Sequence, residues 1–316
     1  MSTALPTYVD IPGRADASVI PPGVFTGARS WVFATYGDRG RMQALADQVL
    51  AAPTGGALNV IVPSRLVLFM FYNGDKLASP RQPIGWTPNH ECVIAFPVIL
   101  HREGHIFDYH FGLLTPFVYI DNYRGMVTGR ESWGYFKNLG NISAPKQWSP
   151  GFTCSLDTLN FQPASPDTEG VVSRLVTVNS TASEFPTDIT GESREQHRHL
   201  MELIAGHIEG DLLDIFWKAA EKLLPFQVSA FNLKQFRDVA DGTKACYQAV
   251  TASPLEVNTI HSLQRLPPGL TISIETCANA GLAELLGLEP SPIPVQFAVG
   301  AELDYQATAG EVLWQA

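Results

Sequence analysis

Apolar and polar residues alternate with a period near two along most of this chain, which predicts a protein built mainly from strands. Trp31 to Tyr36 and Leu66 to Tyr72 are rich in aromatic and β-branched residues and read as strands. Cys92 to Leu100 and His105 to Ile120 flank the turn His101-Arg102-Glu103-Gly104 and predict a long hairpin, with Pro116 marking a bulge or break in its second strand. Further strands are predicted over Phe152 to Phe161, Val171 to Asn179, Val228 to Phe236, Ala245 to Val257, Leu270 to Glu275 and Val295 to Tyr305. The period changes to three and four in a few places. Arg41 to Leu50 reads as a short helix, Ala280 to Leu286 as another ended by Gly287, and Gly125 to Leu139 as a turn with a short helix. Ser193 to Leu224 predicts one long helix, carrying Leu200, Leu203, Ile204, Ile208, Leu212, Ile215, Phe216 and Leu223 on one face. Residues 1 to 27 carry Pro and Gly with little periodicity and suggest an extended arm. No repeat or linker interrupts the pattern, so 1–316 is expected to form a single α+β domain, predominantly antiparallel β.

Composition narrows what such a domain can bind. A net charge of −10 without a basic block offers nothing to a phosphate backbone or an anionic membrane, so neither nucleic acid nor membrane is an expected partner. Hydrophobic residues are 45% of the chain and charged residues 16%, a balance that favours a homo-oligomer. Cys92, Cys154, Cys246 and Cys277 are far apart and form no C-x-x-C pair, so buried reduced thiols are expected. The opening residues lack a basic region followed by an apolar core, which points to a cytoplasmic protein.

The chemistry centres on Lys137, in the frame Gly129-Arg130-Glu131-Ser132-Trp133-Gly134-Tyr135-Phe136-Lys137-Asn138. A free lysine is almost wholly protonated at neutral pH, but burial beside aromatic side chains penalises the ammonium and favours the nucleophilic amine. From spacing alone, a surface lysine laid over aromatic faces is the other reading. Other constellations carry less. His101, His105 and His110 belong to a turn and strand without a shared metal-binding face; His197, His199 and His207 lack an i, i+4 pair; His90 neighbours Glu91 and could tune it. Adjacent Arg130 and Glu131 read as salt-bridging or oligomer-contact residues. Phosphate loops and Gly-x-Ser-x-Gly elbows are missing.

The segment Gly129-Arg130-Glu131 followed by Trp133-Gly134-Tyr135-Phe136-Lys137 resembles the Schiff-base lysine segment of the acetoacetate decarboxylase family. Glu91, six residues before Pro97-Val98, resembles the family's catalytic glutamate, and Arg29, opening Ser30 to Tyr36, resembles its active-site arginine. Weaker similarity runs through Asn232-Leu233-Lys234 and Leu270 to Glu275. The resemblance implies a cone-like antiparallel β-barrel with peripheral helices, and Lys137 on a short helix facing its interior. Catalysis is then expected from Lys137, Glu91 and Arg29, with Trp133, Tyr135, Phe136 and Asn138 around a small-molecule keto acid and without a metal or cofactor. The family's second lysine is replaced by Asn138 and its proline by Phe136, and 193–224 reads as an insertion. The implied reaction is decarboxylation of a β-keto acid through a lysine iminium. A pyruvate aldolase-dehydratase using the same lysine, and a carboxylate-binding protein without turnover, are the alternatives.

Overall fold

The computed structural model describes residues 5–9, 18–104, 108–190, 205–206 and 227–316. Its strands are β1 (Gly23–Tyr36), β2 (Leu58–Ile61), β3 (Leu66–Ser79), β4 (Gln82–Arg102), β5 (Tyr109–Ile120), β6 (Lys137–Ser143), β7 (Thr153–Asn160) and β8 (Val171–Ser180). They continue with β9 (Thr187–Asp188), β10 (Gln227–Arg237), β11 (Ala245–Arg265), β12 (Leu270–Ile274), β13 (Ile293–Pro294), β14 (Phe297–Ala307) and β15 (Glu311–Gln315). Three short α-helices accompany them among the described residues: α1 (Arg39–Ala46), α2 (Tyr123–Thr128) and α3 (Leu282–Leu286). The long helix expected over 193–224 lies outside the described residues except for 205–206.

Pairings run from β5 through β10, β11, β14, β1, β3 and β4, and β4 pairs back to β5, so these strands close a ring. All of its pairings are antiparallel except β5 with β10. A parallel contact from β5 to β6 leads out of the ring into a second sheet ordered β6-β7-β8-β12-β13. Alternation sorts the ring's side chains between two faces. One face gathers Ala34, Leu68, Met70, Val93, Ala95 and Val118 into one cluster. The other face, with Trp31, Phe33, Phe69, Phe71 and Ile94, merges with Leu156, Val176, Val178 and Ile272 of the second sheet in the largest core. Burying large apolar side chains there stabilises by about 1.5–3 kcal/mol each. The hairpin pairing shifts register between Ile94 and Phe96, opposite the stretch that contains Pro116, so the expected bulge is present.

Two expectations change. Lys137 opens strand β6 instead of riding a short helix. The helical path runs through α2 and the wider π-helical turn Gly129–Trp133, then stops at Gly134, whose φ of 81° is a left-handed conformation that glycine adopts without strain. Beyond it the backbone is extended, with Lys137 level with Val118 of β5. Cys92, Cys154 and Cys277 are buried thiols, whereas Cys246 is exposed near the start of β11.

Candidate functional site

Glu91 and Lys137 arrive from opposite sides of β5. Glu91 pairs in register with Ile120, and the row containing Lys137 passes through Val118 to Val93, two residues from Glu91 on the same face of β4. Their side chains meet: Lys137 Nζ donates to Glu91 Oε1 at 2.7 Å. Both groups are withdrawn from solvent, with Lys137 only 7% exposed. Asn89 Nδ2 donates to the same carboxylate oxygen at 3.0 Å, and Asn122 Nδ2 donates to Asn89 Oδ1 at 3.1 Å. Asn122 also caps α2, its Oδ1 accepting from Gly125 N at 2.7 Å. A polar chain thus ties the cap of α2 to the amine.

The sequence frame around Lys137 is used residue by residue. Gly129 gives the lysine room, since a Cβ there would lie 2.5 Å from Lys137 Cε. Arg130 Nη1 donates to the Lys137 carbonyl at 3.1 Å, a role the salt-bridge reading of that residue missed. Trp133 forms part of the cavity wall and donates from Nε1 to the Thr308 carbonyl at 2.9 Å. The ring of Tyr135 lies 5.5 Å from Lys137 Nζ. Phe136 packs instead against the large core, and Asn138 is exposed, as strand alternation after Lys137 requires. Neither lines the cavity.

That cavity measures about 20 Å³, room for one or two waters and too small for a keto acid. Its apolar wall is Val19, Phe25, Leu77 and Trp133; Gly125 and Thr128 contribute from the α2 side, and Asn89, Glu91 and Lys137 are the polar end. Tyr72, Tyr135 and Tyr305 stand within the same electrostatic environment. Burial first, and then the Glu91 charge, push all three hydroxyls well above the usual phenol range, so they remain neutral donors.

Arg29 is not brought to this group. It shares strand parity with Trp31, opposite to Ser30, which lies in the row of Tyr72 and Glu91. Its Nη2 bonds Glu302 at 2.9 Å across β14. His90 likewise faces away from Glu91 and pairs with Asp121. His101 stacks on Tyr109, His110 pairs with Asp108 at 2.9 Å, and His105, His197, His199 and His207 lie outside the described residues. Among the described residues no group of three or more His, Cys, Asp or Glu gathers as a metal site, and no helix is long and apolar enough to cross a membrane. Asn89, Thr128 and Val19 carried no signal in the sequence, because each reaches the cavity through register or a long-range contact.

No family model and no curated relative matches the chain. Solved structures do. The chain is similar to the acetoacetate decarboxylase of Legionella pneumophila at 14% identity and TM-score 0.62, covering 99% of this chain and 93% of that one. It is also similar to an acetoacetate decarboxylase-like enzyme from Sphingomonas wittichii RW1, at 13% identity and TM-score 0.56, with 99% and 100% covered. A third likeness is to the enduracididine biosynthesis enzyme MppR complexed with the condensation product of pyruvate and imidazole 4-carboxaldehyde, at 14% identity and TM-score 0.52, with 99% and 98% covered. With these likenesses spanning nearly its whole length, the chain has the acetoacetate decarboxylase-like fold.

Proposed function

We propose that this chain is a Schiff-base-forming carbon–carbon lyase that decarboxylates a β-keto acid. One observation carries the reading: a buried lysine amine hydrogen-bonded at 2.7 Å to a half-buried carboxylate at the polar end of an apolar cavity. A nucleophilic lysine must surrender a proton, and Glu91 is placed to take it. The amine then attacks the ketone carbon, and Glu91 returns the proton to the carbinolamine hydroxyl, which leaves as water. The iminium that results accepts the electron pair released when the bond to the carboxylate breaks. Carbon dioxide leaves, the enamine is protonated at carbon, and water hydrolyses the iminium to free product and lysine. Lysine activation by desolvation or by a neighbouring cation is a mechanism for which acetoacetate decarboxylase is the usual example. Here the residue after the lysine is the exposed, uncharged Asn138, so that position supplies no neighbouring cation. The apolar wall supports loss of charge by leaving the departing carboxylate poorly solvated.

A pyruvate aldolase-dehydratase is the second reading, favoured by the likeness to MppR with its pyruvate condensation product. In that reaction the lysine-bound enamine attacks an aldehyde instead of receiving a proton. The test is borohydride reduction with a keto acid, followed by mass mapping of the adduct. Lys137 is expected to carry it, and Lys137→Ala is expected to lose both adduct and turnover while melting near the parent temperature. Failure to trap any adduct would leave a carboxylate-binding protein without turnover. Carbon dioxide from acetoacetate supports the first reaction; an enone absorbance from pyruvate plus an aldehyde supports the second.

A further inference from the structure

Arg124 is a charged side chain without a part in that reaction. It sits in the first turn of α2 and is only 7% exposed. Its Nε and Nη2 are both shielded from solvent, and neither has a hydrogen-bond partner. A guanidinium does not neutralise itself by losing a proton, so the orphaned atoms belong to a full positive charge. An unpaired buried cation is strongly destabilising, far more than a buried apolar side chain of the same volume. Its two orphaned atoms are also a matched pair: Nε–H and Nη2–H lie on one edge of the planar group and point the same way. That edge is the fork that receives the two oxygens of a carboxylate in parallel.

Arg124 belongs to the helix that forms one side of the lysine's cavity. Residues four apart on a helix share a face, so Arg124 lies one turn from Thr128, with Gly125 beside it, and all three are buried. Gly125 and Thr128 line the cavity that contains Lys137 and Glu91. Glu91 is already committed to Lys137 and Asn89, and Arg29 is held by Glu302. We propose that the Nε–Nη2 edge of Arg124 binds the carboxylate of the substrate, fixing a keto acid with its ketone toward Lys137. The inference rests on the keto-acid reading of the cavity and sharpens its substrate class. A firm grip on a departing carboxylate would slow its loss, because binding that stabilises only the ground state opposes reaction. The fork therefore suits a carboxylate that the reaction leaves in place, as in a β-keto acid with a second carboxylate, or in the α-keto acid of the aldolase-dehydratase reading.

The Lys137→Ala protein tests this without Schiff-base chemistry. Pyruvate is expected to raise its melting temperature, whereas acetone, which has the same ketone without the carboxylate, is not. Adding Arg124→Met is expected to remove the pyruvate effect. Equal shifts with pyruvate and acetone, or a pyruvate shift that survives Arg124→Met, would overturn the proposal. With Lys137 intact, Arg124→Met is expected to raise the pyruvate concentration for half-maximal borohydride trapping by roughly tenfold or more, leaving that for acetone unchanged. Without ligand, Arg124→Met is expected to melt at or above the parent temperature, because an uncompensated charge has been removed. A large fall, or failure to fold, would identify Arg124 as a structural cation and overturn the assignment. Absence of any pyruvate shift in Lys137→Ala with Arg124 intact, alongside trapping on Lys137 in the parent protein, would sink the Arg124 fork alone. The converse result would sink the lysine reading alone.

Discussion

At the scale of single residues, the lysine is defined as much by what is missing beside it as by what touches it. A methyl group at position 129 would sit 2.5 Å from Lys137 Cε, 2.6 Å from Cδ and 3.2 Å from Nζ. Gly129→Ala is therefore expected to push the amine off Glu91, slowing borohydride trapping by roughly ten- to a hundredfold. The fold should survive, since the clash falls on a side chain; a thermal melt beside the trapping rate separates the two effects, and unchanged trapping would show that the amine has slack. The Lys137–Glu91 pair was legible in the sequence because a local motif and an order along the chain marked both residues. Arg29 was marked in the same way, yet its side chain lies on the other side of its strand, and strand parity there depends on the irregularity between Phe25 and Ala28. Arg124 left no trace, because a lone arginine between Tyr123 and Gly125 looks like any solvated helix residue until its burial is known.

Among the elements, β4 does two jobs with adjacent residues, holding Glu91 toward the cavity and His90 toward Asp121 at the end of β5. The hydrogen bond that His90 donates to Asp121 raises the His90 pKa above its ordinary value of 6.5, against the opposing effect of burial. Burial alone would raise Asp121, but its hydrogen bonds with His90 outweigh that and hold it below its ordinary 3.8. A raised histidine stabilises the fold below its unfolded pKa and loses that contribution as pH rises through the folded value. The lowered aspartate stabilises above its unfolded pKa and loses that contribution as pH falls through the folded value. The pair is thus strongest between the two ordinary values, and His90→Gln is expected to lower the melting temperature more at about pH 5.5 than at about pH 9. Equal losses at both would show that the charge pair is not what fastens this corner. Strands with aromatic and β-branched runs were readable in the sequence at nearly their observed positions. The first half of β4, with Gln82, Gly85 and two prolines, was not, because its extended form comes from pairing with β3 instead of its own pattern. The change from helix to strand before Lys137 was hidden for the same reason: it is decided by β5, a distant partner in parallel register.

Across the whole molecule, the amine stands where the closed ring passes into the second sheet, and the segment before β1 reaches the same cavity. Ser18 to Pro22 is fastened by polar bonds. Val19 N donates to Thr128 Oγ1 at 2.7 Å, Ile20 N to Gln82 Oε1 at 2.9 Å, and Ser79 Oγ to the Ile20 carbonyl at 2.6 Å. Val19 itself is buried and forms part of the cavity wall. Under the proposed function, a keto acid fits this cavity of about 20 Å³ only in a minority arrangement in which the wall has moved. Every ligand then binds with an affinity reduced by the fraction of molecules already open. Ser79→Ala removes one fastening at a distance from the reacting groups, and is expected to lower the half-saturating concentrations of chemically different keto acids by one common factor, with the limiting trapping rate unchanged. A factor that varied with the ligand would place Ser79 in recognition instead. Under that reading the tightness of the cavity is selectivity-neutral: it sets how much substrate is needed to fill the site, without altering which substrate is preferred.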